Sequence, residues 1–202
     1  MTNPIRAQAL EQIPSLNHGF FGKAFGLSKD DDEERNTGFL KIAKELKTSS
    51  QSIVTLKQMH SADVLIIKEP LEGELPKADA LITTVPGLYV GVYTADCVPI
   101  LLSSVKGDMV AAIHAGWRGA LAGIIENTIF AMRSISATNL IAALGPCIWQ
   151  DSYEVSQSFY ESFNAKEFFK PSRRAFHWYF DLPGYVSARL KKAGVMHVVP
   201  SP

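Results

Sequence analysis

The chain has 202 residues, enough for one domain with a substantial hydrophobic core, and we expect a single domain over residues 1–202. Its 20 acidic residues balance its 20 lysines and arginines, so the composition predicts no surface for nucleic acid. No segment approaches the roughly 20 apolar residues of a membrane span, and the first residues lack the apolar run of a signal peptide. We therefore expect a cytoplasmic protein without a membrane partner.

The first third of the chain predicts one helix followed by two strands. Apolar residues recur at helical spacing over residues 32–47, and the charge run at residues 29–35 is either the acidic start of this helix or a solvated loop. Residues 52–56 and 63–68 have the apolar, β-branched composition of strands. The segment KQMH lies between these two strands.

The rest of the chain predicts closely spaced strands and then a mixture of helices and strands. Four apolar runs follow one another too closely for helical crossovers, which favours antiparallel or mixed sheet: residues 80–84, 88–94, 98–104 and 108–114. The later predicted elements are a helix from residue 117, a strand at 140–145, a helix at 153–164, a strand at 176–181, a helix at 182–193 and a strand at 195–199. This order favours an α+β layered sandwich over a doubly wound parallel sheet.

Three residues that bind zinc in other proteins lie beside predicted strand ends: His60, Cys97 and His114. Two imidazoles and one thiolate leave the fourth position of a tetrahedron open, as in a catalytic zinc site. Their separations of 37 and 17 residues match no short zinc motif, so structural histidines and an inert thiol are the alternative. Asp96 directly precedes Cys97, and it shares the same site only if the strand has ended or bulged there.

The stretch AAIHAGWRG predicts a strand that ends at His114 and a helix that begins after Gly116. The unpaired N–H groups of that helix start, together with Arg118, would form a receptor for an anion such as phosphate. The alternative is that the glycines allow a tight turn while Trp117 fills the core. The second cysteine, Cys147, is interpreted as a packed thiol, with a nucleophilic thiol as its alternative.

Seven segments together resemble the YfiH or laccase-domain family, also called the multicopper polyphenol oxidase family: HGFF (18–21), KQMHSADV (57–64), ADALIT (78–83), YTADCVPILL (93–102), AAIHAGWRGALAGI (111–124), LGPCIWQDSYEV (144–155) and FDL (180–182). The resemblance runs from about residue 17 to 198, and it implies an αββα sandwich. It also implies a mononuclear zinc site whose ligands are His60, Cys97 and His114. Members of the family are described as purine nucleoside phosphorylases and as adenosine deaminases.

From this resemblance we expect a zinc-dependent purine nucleoside phosphorylase with accessory adenosine deaminase activity. Its substrates would be phosphate and a purine nucleoside, namely adenosine, inosine, guanosine or methylthioadenosine. The expected catalytic residues are Asp96, Cys97 and Arg118, with Asp96 as the acid or base for the purine nitrogen. The expected substrate or phosphate ligands are Lys23, Gln58, Gly116, Trp117, Arg118 and Gly119.

Two departures from the family pattern affect the expected substrate pocket. The usual FTRxGGVS-like segment is FGKAFGLS here, so Lys23 takes the place of an arginine and Phe25 that of a glycine. The segment after this loop is short. The end at VVPSP is expected to be truncated or divergent, because relatives usually continue through a cysteine–threonine pair.

Three other functions are compatible with the same residues. A copper-dependent polyphenol oxidase is one rival, although one Cys and two His are too few ligands for a blue site plus a trinuclear cluster. A metal-free hydrolase would use Cys97 with His114 as a dyad. A catalytically impaired protein would bind zinc or nucleoside without turnover, and for each function we expect a monomer or a weak homo-oligomer.

Overall fold

The computed structural model describes residues 3–27 and 32–200. Within these ranges the helices are α1 (Gln8–Glu11), α2 (Asp32–Leu46), α3 (Trp117–Ala122), α4 (Ile124–Ser134), α5 (Gln157–Glu161) and α6 (Leu182–Lys192). The strands are β1 (Ile53–Val54), β2 (Val64–Ile67), β3 (Ala80–Thr83), β4 (Tyr89–Val90), β5 (Val98–Ser104), β6 (Val110–Ala115), β7 (Leu140–Leu144), β8 (Glu154–Ser156), β9 (Phe169–Pro171), β10 (His177–Phe180) and β11 (His197–Val199). The predicted α+β class with mixed and antiparallel sheets is confirmed.

Six strands form the main sheet in the order β11-β7-β5-β6-β3-β2. Its four central strands pair antiparallel, and each edge strand pairs parallel with its neighbour. The antiparallel pairing of β5 with β6 follows from their short connection, which has no room for a crossover helix. Two small sheets accompany it, a parallel pair of β1 and β4 and an antiparallel sheet in the order β8-β10-β9.

One face of the main sheet packs against α4 and α6 and forms the largest core. Alternate residues of β5 supply this face, and Val98, Ile100 and Leu102 are at most 1% exposed. Ile125 and Ile129, one turn apart on α4, face the same core. Each such buried side chain stabilises the fold by roughly 1.5–3 kcal/mol relative to exposure. This core therefore fixes the strands whose ends carry the candidate site.

The opposite face of the main sheet is covered by smaller apolar clusters. Leu10 of α1 packs with Ala143 of β7 in one of them. A separate cluster without main-sheet residues joins Phe25 to Ile42 and Leu46 of α2, whose spacing of four residues places both on one helix face. The predicted helix at residues 32–47 is thus confirmed as α2.

Two predicted helices differ from the structure. The helix predicted over residues 153–164 is wrong in its first part, because residues 154–156 form β8 and pair with β10. Only α5 is helical there, and it begins where the Ser156 hydroxyl accepts a hydrogen bond from the Phe159 N–H. The single helix predicted after Gly116 is two helices, because Gly123 adopts φ +100° and interrupts it.

Two short elements, α1 and β9, were not predicted, and the other differences concern lengths. The strands predicted at residues 52–56 and 88–94 are shorter in the structure, where they correspond to β1 and β4. These two strands have two residues each and pair with each other. The charge run at residues 29–35 lies partly outside the described residues, and its last part belongs to α2. Over the described ranges, every helix is too short or too polar to cross a lipid bilayer.

Candidate metal centre and active site

The three predicted metal ligands lie together in the structure. One potential ligand atom from each of His60, Cys97 and His114 lies within 4.8 Å of the other two. Cys97 Sγ is 3.9 Å from His60 Nε2, and the two imidazole rings meet edge to face with centroids 4.6 Å apart. Residues that are distant in the chain therefore form one compact group of nitrogen and sulfur donors.

Strand register explains how Cys97 and His114 meet. In the antiparallel pairing of β5 with β6, His114 lies directly opposite Pro99. Cys97 lies two residues before Pro99, at a bend immediately before β5 begins. Alternation along an extended chain places residues two apart on the same face. The Cys97 thiol, directly before β5, therefore lies next to His114 near the end of β6.

His60 reaches the cluster from an unusual backbone conformation. It lies in the loop between β1 and β2 with φ +58°, in the left-handed region. This region costs roughly 1–2 kcal/mol for a residue with a Cβ, so neighbouring interactions must hold it. The interactions that hold it come from Asp79, which was not among the predicted site residues.

Asp79 lies directly before β3 and is completely buried. Its Oδ1 accepts a hydrogen bond from His114 Nδ1 at 2.7 Å. The Asp79 carbonyl oxygen also accepts the His114 backbone N–H at 2.8 Å. The side chain and main chain of one residue therefore hold His114 from two directions.

The same carboxylate holds the loop of His60. Its Oδ2 accepts the N–H groups of Met59 at 3.1 Å and Ser61 at 2.6 Å, and its Oδ1 accepts the His60 N–H at 3.0 Å. Burial by itself raises the pKa of Asp79, but the hydrogen bonds from His114, Ser61 and Met59 outweigh it and the pKa is lowered. The sequence signal for this role is a charged residue inside the buried run ADALIT.

The donor set and its exposure fit a zinc ion. With Zn–N near 2.05 Å and Zn–S near 2.3 Å, a tetrahedral site separates N from S by about 3.6 Å. The observed Cys97–His60 separation of 3.9 Å is close to that value. His114 is buried, Cys97 is half-buried and His60 is exposed, so the group is open to solvent on one side. This arrangement has room for a fourth, exchangeable ligand.

The glycines of GWRG allow close approach. A Cβ on Gly116 would lie 2.9 Å from both Cys97 Sγ and His60 Cδ2, and a Cβ on Gly119 would lie 2.8 Å from the Ser61 carbonyl oxygen. α3 has only six residues, so its dipole is a smaller source of positive potential than a full-length helix would give. The turn therefore packs closely against the His60 loop and the donor cluster.

Arg118 and Trp117 point into different surroundings. Trp117 packs edge to face on Phe159, with centroids 4.9 Å apart, and contacts Phe163. Arg118 is exposed, and its Cζ lies 5.2 Å from the centroid of the Trp117 ring. The indole thus belongs to an aromatic cluster, whereas the guanidinium lies at the exposed surface.

The other predicted site residues occupy three different places. Lys23 is exposed at the start of a short 3₁₀ turn, Lys23–Phe25. Gln58 uses both ends of its amide on the backbone of Tyr93, accepting from N at 2.7 Å and donating to O at 2.8 Å. Asp96 is exposed beside Cys97, and its carbonyl oxygen accepts the Ile148 N–H at 2.9 Å.

The sequence of this chain matches a known family over most of its length. A family model described as "Multi-copper polyphenol oxidoreductase laccase" matches residues 15–201. The chain belongs to this laccase-domain family. The family membership predicted from the sequence motifs is thereby confirmed.

Relatives within the laccase-domain family carry enzyme names. Purine nucleoside phosphorylase RC0672 from Rickettsia conorii is 37% identical over 196 residues, which are 91% of this chain and 81% of that protein. Adenosine deaminase RL5, from an unknown prokaryotic organism, is 37% identical over 139 residues, 64% of this chain and 53% of that protein. The chain thus matches little more than half the length of the second relative. These names support an enzymatic role.

A solved structure shares the fold. Neisseria meningitidis protein NMB0706 is 30% identical to this laccase-domain chain and superposes with a TM-score of 0.76. The superposition covers 87% of this chain and 73% of that one. The architecture described above is therefore that of the family.

A large cavity of this laccase-domain protein is lined in part by the chain segment that precedes Cys97. Its volume is about 1150 Å³, and it extends between the N-terminal segments and the main sheet. Its lining residues include Phe20, Lys23, Thr94, Ala95 and Pro146. Thr94 and Ala95 come directly before Asp96 and Cys97 in the chain, whereas the three residues of the donor cluster are not part of the lining.

Cys147 and Tyr153 lie near the cluster without forming part of its donor set. Burial, together with Asp181 and Cys97, raises the pKa of Cys147 to about 11. Burial, with Cys97 and Asp96, also raises the pKa of Tyr153 to about 12. Cys147 packs against the main core, and a thiol that stays protonated near neutral pH is a poor nucleophile. This agrees with its interpretation as a packed cysteine.

Proposed function

We propose that this chain is a zinc-dependent purine nucleoside phosphorylase with accessory adenosine deaminase activity. The observation that carries the proposal is the group of His60, Cys97 and His114, whose donor atoms converge and leave one side open. The name of the Rickettsia conorii relative supports phosphorolysis, and that of adenosine deaminase RL5 supports the second activity.

His60, Cys97 and His114 would hold the zinc ion. The thiolate and two imidazoles are donors that zinc prefers. Because His114 is buried and His60 is exposed, substrate would approach the zinc ion from the solvent side. When bound, zinc would supply a Lewis acid that polarises an oxygen of phosphate or water. The three protein ligands keep the reacting groups of the substrate beside the end of β5.

Arg118 and Lys23 would bind the phosphate. Arg118 is exposed two residues after Gly116, which touches two of the metal ligands, and a guanidinium binds phosphate oxygens with directed hydrogen bonds. Lys23 adds a positive charge at the wall of the cavity. In phosphorolysis the ribose C1′ gains positive character as the bond to the purine breaks, so a phosphate held beside it both attacks and stabilises that charge.

Asp96 would exchange a proton with the purine. Its exposed carboxyl group lies directly beside Cys97 in the chain, at the bend where β5 has not yet begun. Protonation of a purine nitrogen improves the leaving base in phosphorolysis. In deamination the same carboxyl group would shuttle the proton between water and the base. One site thus accommodates both reactions.

The purine nucleoside would occupy the end of the cavity next to Thr94 and Ala95. Ligand pockets of proteins usually measure about 300–1,000 Å³, so a cavity of about 1150 Å³ accommodates a nucleoside. Its apolar lining suits the flat face of a purine. Gln58 would act on this pocket by fixing the backbone of Tyr93 at its wall.

Product analysis tests the proposed reactions. Purified protein is incubated with adenosine, with and without phosphate, and products are separated by chromatography. We expect adenine and ribose-1-phosphate only when phosphate is present, and a smaller amount of inosine in both samples. Absence of all three products in a zinc-replete protein contradicts the proposal. Metal analysis accompanies it, and several copper atoms per chain would favour the polyphenol oxidase.

The Cys97→Ala variant tests the metal site, with Cys147→Ala as the matched control. We expect Cys97→Ala to lose bound zinc and at least about 100-fold in phosphorolysis, because a Lewis acid contributes several kcal/mol to the barrier. Cys147→Ala removes a nearby thiol that does not belong to the donor cluster, so this variant should keep both bound zinc and activity. Full activity in zinc-free Cys97→Ala would overturn the zinc mechanism, whereas activity that survives chelation but needs Cys97 would favour the metal-free hydrolase.

A further inference from the structure

The two histidines of the donor cluster share one buried partner. His60 and His114 are 54 residues apart in the chain, yet the carboxylate of Asp79 accepts hydrogen bonds from the backbone of one and the ring of the other. A completely buried carboxylate is costly unless its oxygens are satisfied by hydrogen bonds. Four donors that satisfy Asp79 are the His114 ring and the backbone N–H groups of Met59, His60 and Ser61.

We propose that Asp79 is the positioning residue of this centre: it presents His114 to the metal through Nε2 and holds the loop that carries His60. This inference rests on the metal site proposed above. Asp79 does not contact substrate or metal in this assignment. It acts through the orientation of two ligands, as outer carboxylates do around other metal-bound histidines.

Asp79 determines the tautomer of His114. A neutral imidazole carries its proton on only one ring nitrogen, and the other nitrogen then has a free lone pair. Asp79 Oδ1 lies 2.7 Å from Nδ1, a distance at which an ionised carboxylate binds the N–H tautomer. The proton is therefore held on Nδ1. Nε2 is then the ring nitrogen whose lone pair can bind a metal.

Asp79 also holds the loop of His60. Three successive N–H groups, from residues 59 to 61, converge on the two oxygens of Asp79. Successive N–H groups converge in this way only when the chain turns sharply, and here the turn includes the left-handed φ of His60. The carboxylate compensates the strain of this conformation. Without it, the loop would relax and the imidazole would leave the cluster.

Substitution of Asp79 should have effects that substitution of a neighbouring exposed aspartate lacks. In Asp79→Asn an NH₂ group replaces one of the two carboxylate oxygens. In either orientation of the carboxamide, this NH₂ group would face N–H donors and could not accept their hydrogen bonds. Size and shape are kept while two of the four hydrogen bonds are lost. Asp63→Asn is the matched control, since Asp63 is exposed in the same segment and bonds Asp79 only through its backbone oxygen.

The experiment measures zinc affinity and the His114 tautomer separately. Zinc affinity is measured by competition with a chromophoric chelator, and the tautomer by ¹⁵N NMR of histidine-labelled, zinc-free protein, with the His114 signal assigned from a His114→Gln variant. We expect the His114 proton on Nδ1 in the parent protein, and we expect Asp79→Asn to weaken zinc binding about 10–100-fold. Asp63→Asn should change neither quantity, and circular dichroism establishes that both variants fold.

Several outcomes overturn the inference. Zinc affinity within twofold of the parent protein in folded Asp79→Asn would remove the positioning role. If Asp79→Asn fails to fold, the His114 tautomer of the parent protein still tests the inference. A proton on Nε2 contradicts the assignment, and a proton on Nδ1 supports it. Failure of the parent protein to bind zinc contradicts the metal proposal instead, and the tautomer then tests the role of Asp79 by itself.

Discussion

At the scale of single residues, Gly116 has a steric role in the donor cluster. Its backbone is extended, with φ −74° and ψ 165°, so another residue could adopt its conformation without strain. The space for a side chain is absent, because Cys97 Sγ and His60 Cδ2 would each lie 2.9 Å from an added Cβ. A glycine here lets the turn after β6 touch two ligands at once.

Gly116→Ala should therefore impair metal binding more than folding. Both crowded atoms belong to side chains that can rotate away, so we expect a small stability change and at least about a tenfold loss of zinc affinity, because ligand geometry is disturbed. Chelator competition and urea unfolding measure the two effects. Gly91→Ala is the control, since its nearest atom would be 3.8 Å away. Equal zinc affinity in the two variants would contradict this role.

At the scale of elements, Gly123 divides the helical region after the GWRG turn. It ends α3 and begins α4 with φ +100°, a conformation that residues with a Cβ rarely adopt. α3 can then pack beside the donor cluster while α4 follows the main core. The apolar period in the sequence continues across this glycine, and it therefore predicted one helix where the structure has two.

Gly123→Ala should destabilise the fold by about 1–2 kcal/mol, the usual cost of a left-handed conformation for a residue with a side chain. Urea unfolding measures the change as a lower midpoint at unchanged slope. Gly22→Ala is the comparison, because Gly22 has φ −84° and an added Cβ would meet no atom within 4 Å. A stability change of the same size in both variants would show that the positive φ is not the cause.

At the scale of the whole molecule, the donor cluster joins three separate parts of the chain. His60 comes from the loop before β2, Cys97 from the bend before β5, and His114 from β6 near its end. A ligand that binds only when these parts are assembled stabilises the folded state relative to the unfolded chain. Metal binding and folding should thus be coupled.

Removing zinc should lower the thermal stability of the parent protein. Zinc at 100 times its dissociation constant would stabilise the folded state by about 2.7 kcal/mol. Thermal unfolding with zinc and with excess chelator measures this difference. Cys97→Ala should show little response to zinc, whereas Cys147→Ala should respond like the parent. An equal zinc response in Cys97→Ala would contradict a site at this cluster.

The sequence by itself determined the elements and the identity of the candidate ligands. Helical periodicity predicted α2 and α6, and an apolar run predicted β5 with the bounds seen in the structure. These predictions succeed because each pattern depends only on residues within one element. The same local logic failed at residues 154–156, where pairing with β10 outweighed a helical pattern. The motif resemblance named His60, Cys97 and His114 as ligands, although spacing alone left them open.

Only the tertiary structure decided how these residues work together. The register of β5 with β6 sets Cys97 beside His114, and a register is a pairing between strands that no single strand encodes. Asp79 escaped the sequence reasoning for the same reason, since its importance lies in contacts with residues 18 and more positions away along the chain. Local sequence fixes conformation and chemistry, whereas burial and long-range hydrogen bonds fix which groups meet.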